Sequence, residues 1–412
     1  MTSRERVLNA VNHKSGELPL DLGATPSSGI SAIGYNKLKS ALGIKDGHTR
    51  VYDVVQQVAQ VEDSVIDKLG VDVIDIGRAF NTDDNDWYDI TLSDGSNAQY
   101  PTWFRPVKEG DRYNCYDEDG DIIASMPGGA TFFDQTCFPY IDGYPDNYKD
   151  LDKAMNKVLW NKLAHSPWDN AGKPDFYEQL RKKAIYLREH TDKALMIVCG
   201  CNLFEWGTFL RRIDNFLMDI YTDPDLVEGL LDTLMEKHLA TLKNVCEAVG
   251  DVVDILRFGD DLGMDTGMFM SKDKYREIFK PRHKLLNEYV HTHSNMKTLL
   301  HSCGSVYPII DDLIEAGYDI LNPVQTTARD MDPETLKREF GKDITFWGGG
   351  CNTRTILNRG TPQEVYDYTM RMIEIFSKGG GFVFNQEHNI LPDVPAENML
   401  AMYKAVNDCR NG

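Results

Sequence analysis

The sequence predicts an α/β fold, a TIM (β/α)8 barrel carrying an antiparallel β-rich insertion after the second strand. Three observations carry this. Eight short apolar, β-branched runs end in Gly, Asp, Gln or His, and from the third onward each is followed by a helical pattern. A single stretch of alternating polar and apolar residues interrupts that rhythm after the second run. Runs that are apolar on both faces suit parallel strands covered by helices, and eight βα units closing on themselves give a barrel.

The runs are Leu18 to Gly23, Val71 to Gly77, Ala194 to Gly200, Val252 to Asp260, Lys297 to Gly304, Asp319 to Gln325, Ile344 to Gly350 and Gly381 to His388. Among the connecting segments, Thr361-Pro-Gln-Glu364 is a capping box with proline at the first helical position. Val365, Tyr368, Met372 and Ile373 follow it at helical spacing until Gly379 to Gly381 stop the helix. Asp332-Pro333 opens a short helix that Gly341 closes, and Pro281 is expected to kink the helix from about Ser271 to His291. From about Trp87 to Met126, alternation around Asp94-Gly95, Glu109-Gly110 and Asp119-Gly120 predicts hairpins. The reading is one barrel domain over 1–412, with an insertion over 84–190, hairpins then helices, lying over the active face. It would act as a lid, a docking surface or an edge shield.

Composition narrows the partners. The formal charge is −20, which disfavours phosphate backbones and anionic lipid, so neither nucleic acid nor membrane is expected. No run of eighteen apolar residues exists. The start, Met-Thr-Ser-Arg-Glu-Arg-Val-Leu, lacks the apolar centre of a signal peptide, and eight cysteines without a dense framework suit a reducing compartment. A cytoplasmic protein is the expectation. Phosphate-loop, nucleophile-elbow, His-Glu-x-x-His and dinucleotide motifs are all missing.

Barrel active sites lie at the carboxyl ends of the strands. Polar residues there include Asp21, Asp75, Cys199, Cys201, Asn202, Asp260, Asp261, His301, Cys303, Gln325, Cys351, Asn352, Glu387 and His388. Side chains at i and i+2 of a strand share a face, so His301 and Cys303 converge where their strand ends at Gly304. Cys351 takes the matching place after another run. One imidazole and two thiolates suit zinc, and three protein ligands leave a fourth position for a substrate atom. Cys199 and Cys201 form a weaker metal candidate, and small residues there also admit close approach of a ligand. Asp260 and Asp261 can orient a ligating imidazole or bind substrate.

Several segments together resemble the uroporphyrinogen decarboxylase superfamily, and within it the cobalamin-dependent zinc methyltransferases. They are FEWGTFLR at 204–211, GDDLG at 259–263 with the helix from Tyr275 to His283, HSCG at 301–304, WGGGC at 347–351 leading into GTPQEV at 360–365, and HNILPDVP at 388–395. The arginine-rich amino-terminal motif of the decarboxylases is not matched between Arg4 and Gly23. Related coenzyme M methyltransferases complete their His-x-Cys pair with a cysteine after the last strand, where this chain has Glu387-His388-Asn389. Cys351 is the replacement chosen, with Glu387 as an oxygen ligand instead or in addition.

The resemblance implies a zinc enzyme that moves a methyl group from a methoxylated aromatic substrate to the Co(I) centre of a separate corrinoid protein. In that scheme His301, Cys303 and Cys351 hold zinc, and Asp260 and Glu387 are the catalytic carboxylates. Cys199, Asn202, Trp206, Asp261, Gln325 and His388 contact substrate, and Phe132, Phe133, Phe138, Tyr140 and Trp206 hold its ring. The alternatives are transfer from the methylcorrinoid to coenzyme M or a folate, a decarboxylase-like enzyme, or a noncatalytic corrinoid-binding protein. Homodimerisation is left open.

Overall fold

A computed structural model describes residues 1–411. Seven parallel strands form one sheet: β1 (Val73–Asp75), β2 (Ala194–Gly200), β3 (Ile255–Gly259), β4 (Lys297–His301), β5 (Ile320–Asn322), β6 (Thr345–Trp347) and β7 (Phe382–Val383). Each pairs with the next in chain order, as right-handed βαβ connections require. Each also lies inside one of the apolar runs.

The first run, Leu18 to Gly23, closes the ring by backbone bonds to both outer strands. Asp21 N–H donates to Phe384 at 2.9 Å, Phe384 N–H donates to Pro19 at 2.9 Å, and Asp72 N–H donates to Leu20 at 2.8 Å. Pro19 has no N–H to give, which keeps this element a bridge rather than a regular strand.

Inside the ring one layer of side chains comes from all seven strands: Val73, Ala194, Met196, Ile255, Leu299, Ile320, Trp347 and Val383. Val7, Ala10 and Val11 of the helix Ser3–Val11 pack against it and plug the amino-terminal end of the barrel. A capping box between Thr2 and Glu5 starts that helix. The opposite, carboxyl-terminal end is left for polar residues.

The connecting helices behave as their signals require. Pro362–Phe376 begins in the Thr361/Glu364 capping box, and Pro333–Phe340 is capped by Asp332 and followed by Gly341. The kink expected from Pro281 is a π-helical turn, Tyr275–Phe279, directly before the helix Lys280–His293. There the ring of Pro281 removes one N–H from the ladder and the backbone loosens by a residue.

Between β1 and β2 the chain makes the hairpin Trp87–Thr91 with Asn97–Pro101, then an antiparallel sheet of Val107–Glu109, Arg112–Tyr116, Ile122–Pro127 and Asp134–Gln135. Short helices at Leu151–Met155 and Leu159–Lys162 follow. The last helix of the stretch, Phe176–His190, belongs to the outer ring: Arg181 donates to the Ala248 carbonyl at 2.7 Å and Arg188 to Asp254 at 2.5 Å. No helix among the described residues is long and apolar enough to cross a membrane.

Candidate metal centre

His301 is the last residue of β4, one inward-facing position above Leu299 of the barrel core. Its Nδ1 lies 2.7 Å from Oδ1 of Asn322, on the end of the neighbouring β5. The Asn322 amide is oriented by its own Nδ2, which donates to the Trp347 carbonyl at 2.8 Å. Oδ1 must therefore accept, so Nδ1 of His301 carries the proton and Nε2 keeps its lone pair. Burial first, then the Arg257 and His388 charges, hold the imidazole well below its usual pKa, so it is neutral at pH 7.

Two residues on, Sγ of Cys303 lies 3.4 Å from that Nε2. The loop carrying it is pinned by the Cys303 N–H, which donates to Asp261 Oδ1 at 2.8 Å. Gly304 has φ +81°, and a Cβ there would come within 2.4 Å of the Gly263 backbone. The two loops cross at a contact only glycine permits. The third donor is His388, after β7. Its Nδ1 is 3.0 Å from Asn389 Oδ1, and its ring centroid is 5.8 Å from that of His301. One donor atom from each of His301, Cys303 and His388 lies within 4.8 Å of the others.

The expectation that Cys351 completes this set is not met. Its thiol is fully buried among core side chains, pushed up to about 12 by burial, and is absent from the donor group. Nor does Glu387 reach the donors. Its oxygens accept from Thr326 Oγ1 at 3.0 Å and Asn352 Nδ2 at 2.7 Å, and burial lifts its carboxyl to about 7.

Beside the centre lies a cavity of about 800 Å³. His301, His388, Asp261, Asn202, Glu205 and Arg257 line its polar side, with Cys199 and Cys201. Phe132, Trp160, Trp168, Tyr177, Trp206 and Phe209 make aromatic walls. Trp160 stacks on Phe209 at 5.9 Å, and Trp206 meets Phe209 edge-on. The segment between β1 and β2 thus supplies Phe132, Trp160 and Trp168 to the wall. Of the other aromatic residues expected there, Phe133 and Tyr140 are core, and Phe138 is not part of the lining.

Four expected substrate contacts, Cys199, Asn202, Trp206 and Asp261, line the cavity together with His388. Gln325 does not: it accepts from the Gly304 N–H at 3.0 Å and donates to Asp265 at 2.5 Å, bracing the Cys303 loop. Asp260, expected as a catalytic carboxylate, does not line the cavity either. Its carboxylate is fully buried, accepting from the N–H groups of Phe204 at 3.0 Å and Glu205 at 2.9 Å, with His283 Nε2 at 3.0 Å. It caps the helix Phe204–Arg211 and anchors it to the helix Lys280–His293.

Glu205 and Arg257 were not singled out from the sequence. Glu205 is the second residue of the helix within the FEWGTFLR segment, where burial and then the Asp261 and Asp260 charges raise its carboxyl to about 8. Arg257 shares inward parity with Ile255 and Gly259, a pattern readable once the strand is placed.

The profile of the family described as uroporphyrinogen decarboxylase (URO-D) matches residues 203–409, half of the chain. Similar curated proteins include a uroporphyrinogen decarboxylase of Pseudomonas fluorescens, 25% identical over 46% of this chain and 50% of that protein. The methylcobamide:CoM methyltransferase MtaA of Methanosarcina barkeri is 26% identical over 48% and 53%. The chain thus spans about half the length of the curated relatives it matches. A solved methyltransferase from Methanosarcina mazei shares the fold over 99% of both chains, with a TM-score of 0.58 at 16% identity. The donors His301, Cys303 and His388, the capping carboxylate Asp260 and the cavity residue Glu205 all fall within the matched half, and the chain belongs to the uroporphyrinogen decarboxylase (URO-D) family.

Proposed function

We propose that this protein is a zinc-dependent methyltransferase that takes a methyl group from a methoxylated aromatic substrate and delivers it to the Co(I) centre of a partner corrinoid protein. The observation that carries the reading is the His301, Cys303 and His388 donor group at an aromatic-walled cavity. The donors fit a zinc ion: two neutral imidazoles with Nε2 free and a thiol are soft or borderline ligands, and each imidazole is fixed through Nδ1 by an asparagine. Burial, Asp261 and Glu205 push the Cys303 thiol up, so the thiolate needs a cation beside it.

Zinc held there supplies a Lewis acid for the negative charge that develops on the departing oxygen. The residues of the chain do the rest. The aromatic walls hold the ring and exclude water. The methyl carbon–oxygen bond breaks with its electron pair on oxygen while the carbon–cobalt bond forms. Glu205, still protonated at neutral pH, gives its proton to that oxygen, which leaves as a phenol.

Incubating the zinc-loaded protein with a reduced corrinoid protein and a panel of methoxyarenes tests this. Conversion of the Co(I) spectrum to methylcobalt is expected with at least one of them. Likeness to MtaA supports a second reading, in which the methyl group leaves the corrinoid for a thiol. Methylation of cobalt by no methoxyarene, with transfer from methylcobalt to a thiol or folate, would establish that direction instead.

A further inference from the structure

The cavity floor carries a charge that the methyl-transfer chemistry does not use. Arg257 sits in the middle of β3, facing into the barrel with Ile255 below it and Gly259 above. Barrel interiors are ordinarily filled at this level by branched apolar side chains. Here a guanidinium takes the place, and Gly259 makes room for it: a Cβ there would lie 3.0 Å from Arg257 Nη1 and 2.9 Å from Asn202 Nδ2. Nε of Arg257 is buried without a hydrogen-bond partner.

Neither nearby carboxyl group hydrogen-bonds the guanidinium. Glu205 accepts from the Asn202 amide, and Asp261 accepts from the Cys303 N–H. A half-buried guanidinium whose Nε has no partner, opening on a cavity, is costly unless an anion meets it.

We propose that Arg257, with the Asn202 side chain beside it, forms an anion subsite at the cavity floor, and that the methyl donor is a methoxylated aromatic carboxylate. The carboxylate pairs with Arg257 while the methoxy group lies at His301, Cys303 and His388. The aromatic identity rests on the function proposed above. The subsite rests on Arg257 alone. A compact aliphatic sulfonate, such as a thiol-bearing acceptor, shares the oxyanion chemistry but would leave most of the 800 Å³ and its aromatic walls unused.

Titrating the zinc-loaded full chain by its tryptophan fluorescence tests the subsite without turnover. The ligands are 3-methoxybenzoate, its neutral relative 3-methoxybenzamide, benzoate and ethanesulfonate. The carboxylate is expected to bind at least tenfold more tightly than the amide. Arg257→Gln is expected to erase that difference and Arg257→Lys to keep part of it, with zinc content and thermal unfolding unchanged.

Equal binding of carboxylate and amide by the wild-type protein overturns the subsite, and needs no variant to fold. Tighter binding of ethanesulfonate than of benzoate overturns the aromatic carboxylate. The two proposals fail separately. Cobalt methylated by neutral methoxyarenes, with no dependence on Arg257, removes the subsite and leaves the methyltransferase. Carboxylates that bind through Arg257 but never methylate cobalt do the reverse.

Discussion

Asn322 and Asn389 each hold Nδ1 of a histidine and leave its Nε2 for a metal, so amides rather than carboxylates orient both imidazoles. That choice keeps added negative charge away from a pocket that already contains Asp261. Metal analysis is expected to find one zinc per chain, lost in Cys303→Ala and in His388→Ala but retained in Cys351→Ala. Retention of zinc by the His388 variant, with loss in the Cys351 variant, would reject the donor set. Removing the orienting amide, Asn322→Ala, is expected to weaken zinc binding roughly 10- to 100-fold without abolishing it, as outer-shell partners generally do. Glu205 belongs to the same scale. Because its proton is held up to about 8, methyl transfer is expected to fall as pH rises through that value, and Glu205→Gln should lower the rate and remove that limb of the profile.

At the scale of elements, the helix Phe204–Arg211 is held where β2 ends by a carboxylate from the end of β3. Asp260 satisfies two amides of its first turn and meets His283 from the helix Lys280–His293. Three elements therefore share one buried side chain, and the helix delivers Glu205 and Trp206 to the cavity. Asp260→Ala leaves two N–H groups and an imidazole without their acceptor. We expect a loss of about 2–4 kcal/mol in urea unfolding. Zinc content should be preserved, since the Asp260 carboxylate touches none of the donors and its N–H bond to the His301 carbonyl survives the substitution. A variant as stable as the parent would show that the cap is redundant.

Across the whole molecule, the barrel depends on the seam between the first run and β1. Asp72, buried there, accepts from the Leu20 N–H at 2.8 Å and pairs with Arg6 and Arg410, so it ties the amino-terminal plug and the carboxyl-terminal helix to the closing strand. Asp72→Asn is expected to destabilise by about 3 kcal/mol, because partly buried Arg410 loses its counter-charge while Arg6 keeps Glu17. The pH dependence of stability has a definite sign as well. Burial raises Glu387 to about 7 and Glu205 to about 8, so the folded chain binds more protons than the unfolded one between the ordinary glutamate range and those values. Stability of the zinc-free protein should fall as pH rises from about 6.5 to 8. Below that window the buried histidines oppose it: His238, held to about 4 by burial, favours the folded state as pH rises toward 6.5. Urea midpoints of the chelator-treated protein at pH 6.5 and 8 measure the difference, and a rise would contradict it.

Local pattern determined the strands, the capped helices and the hairpins, because apolar runs, capping boxes and Asp-Gly turns act over a few residues. It also placed His301 and Cys303 together, although the strand ends at His301 and it is the loop held by Asp261 that brings the thiol to the imidazole. The sequence offered Cys351 or Glu387 as the third donor and gave His388 only a substrate contact. That choice depends on how far each side chain stands from the barrel axis after its own strand ends. In the tertiary structure Cys351 turns into the core and Glu387 onto Thr326 and Asn352, while His388 faces His301. Asp260 and Arg257 exchange significance for the same reason. The exposed-looking acid at a strand end is consumed by a helix cap, and the arginine inside an apolar run faces the cavity, because burial and partners are properties of the closed barrel and not of the strand.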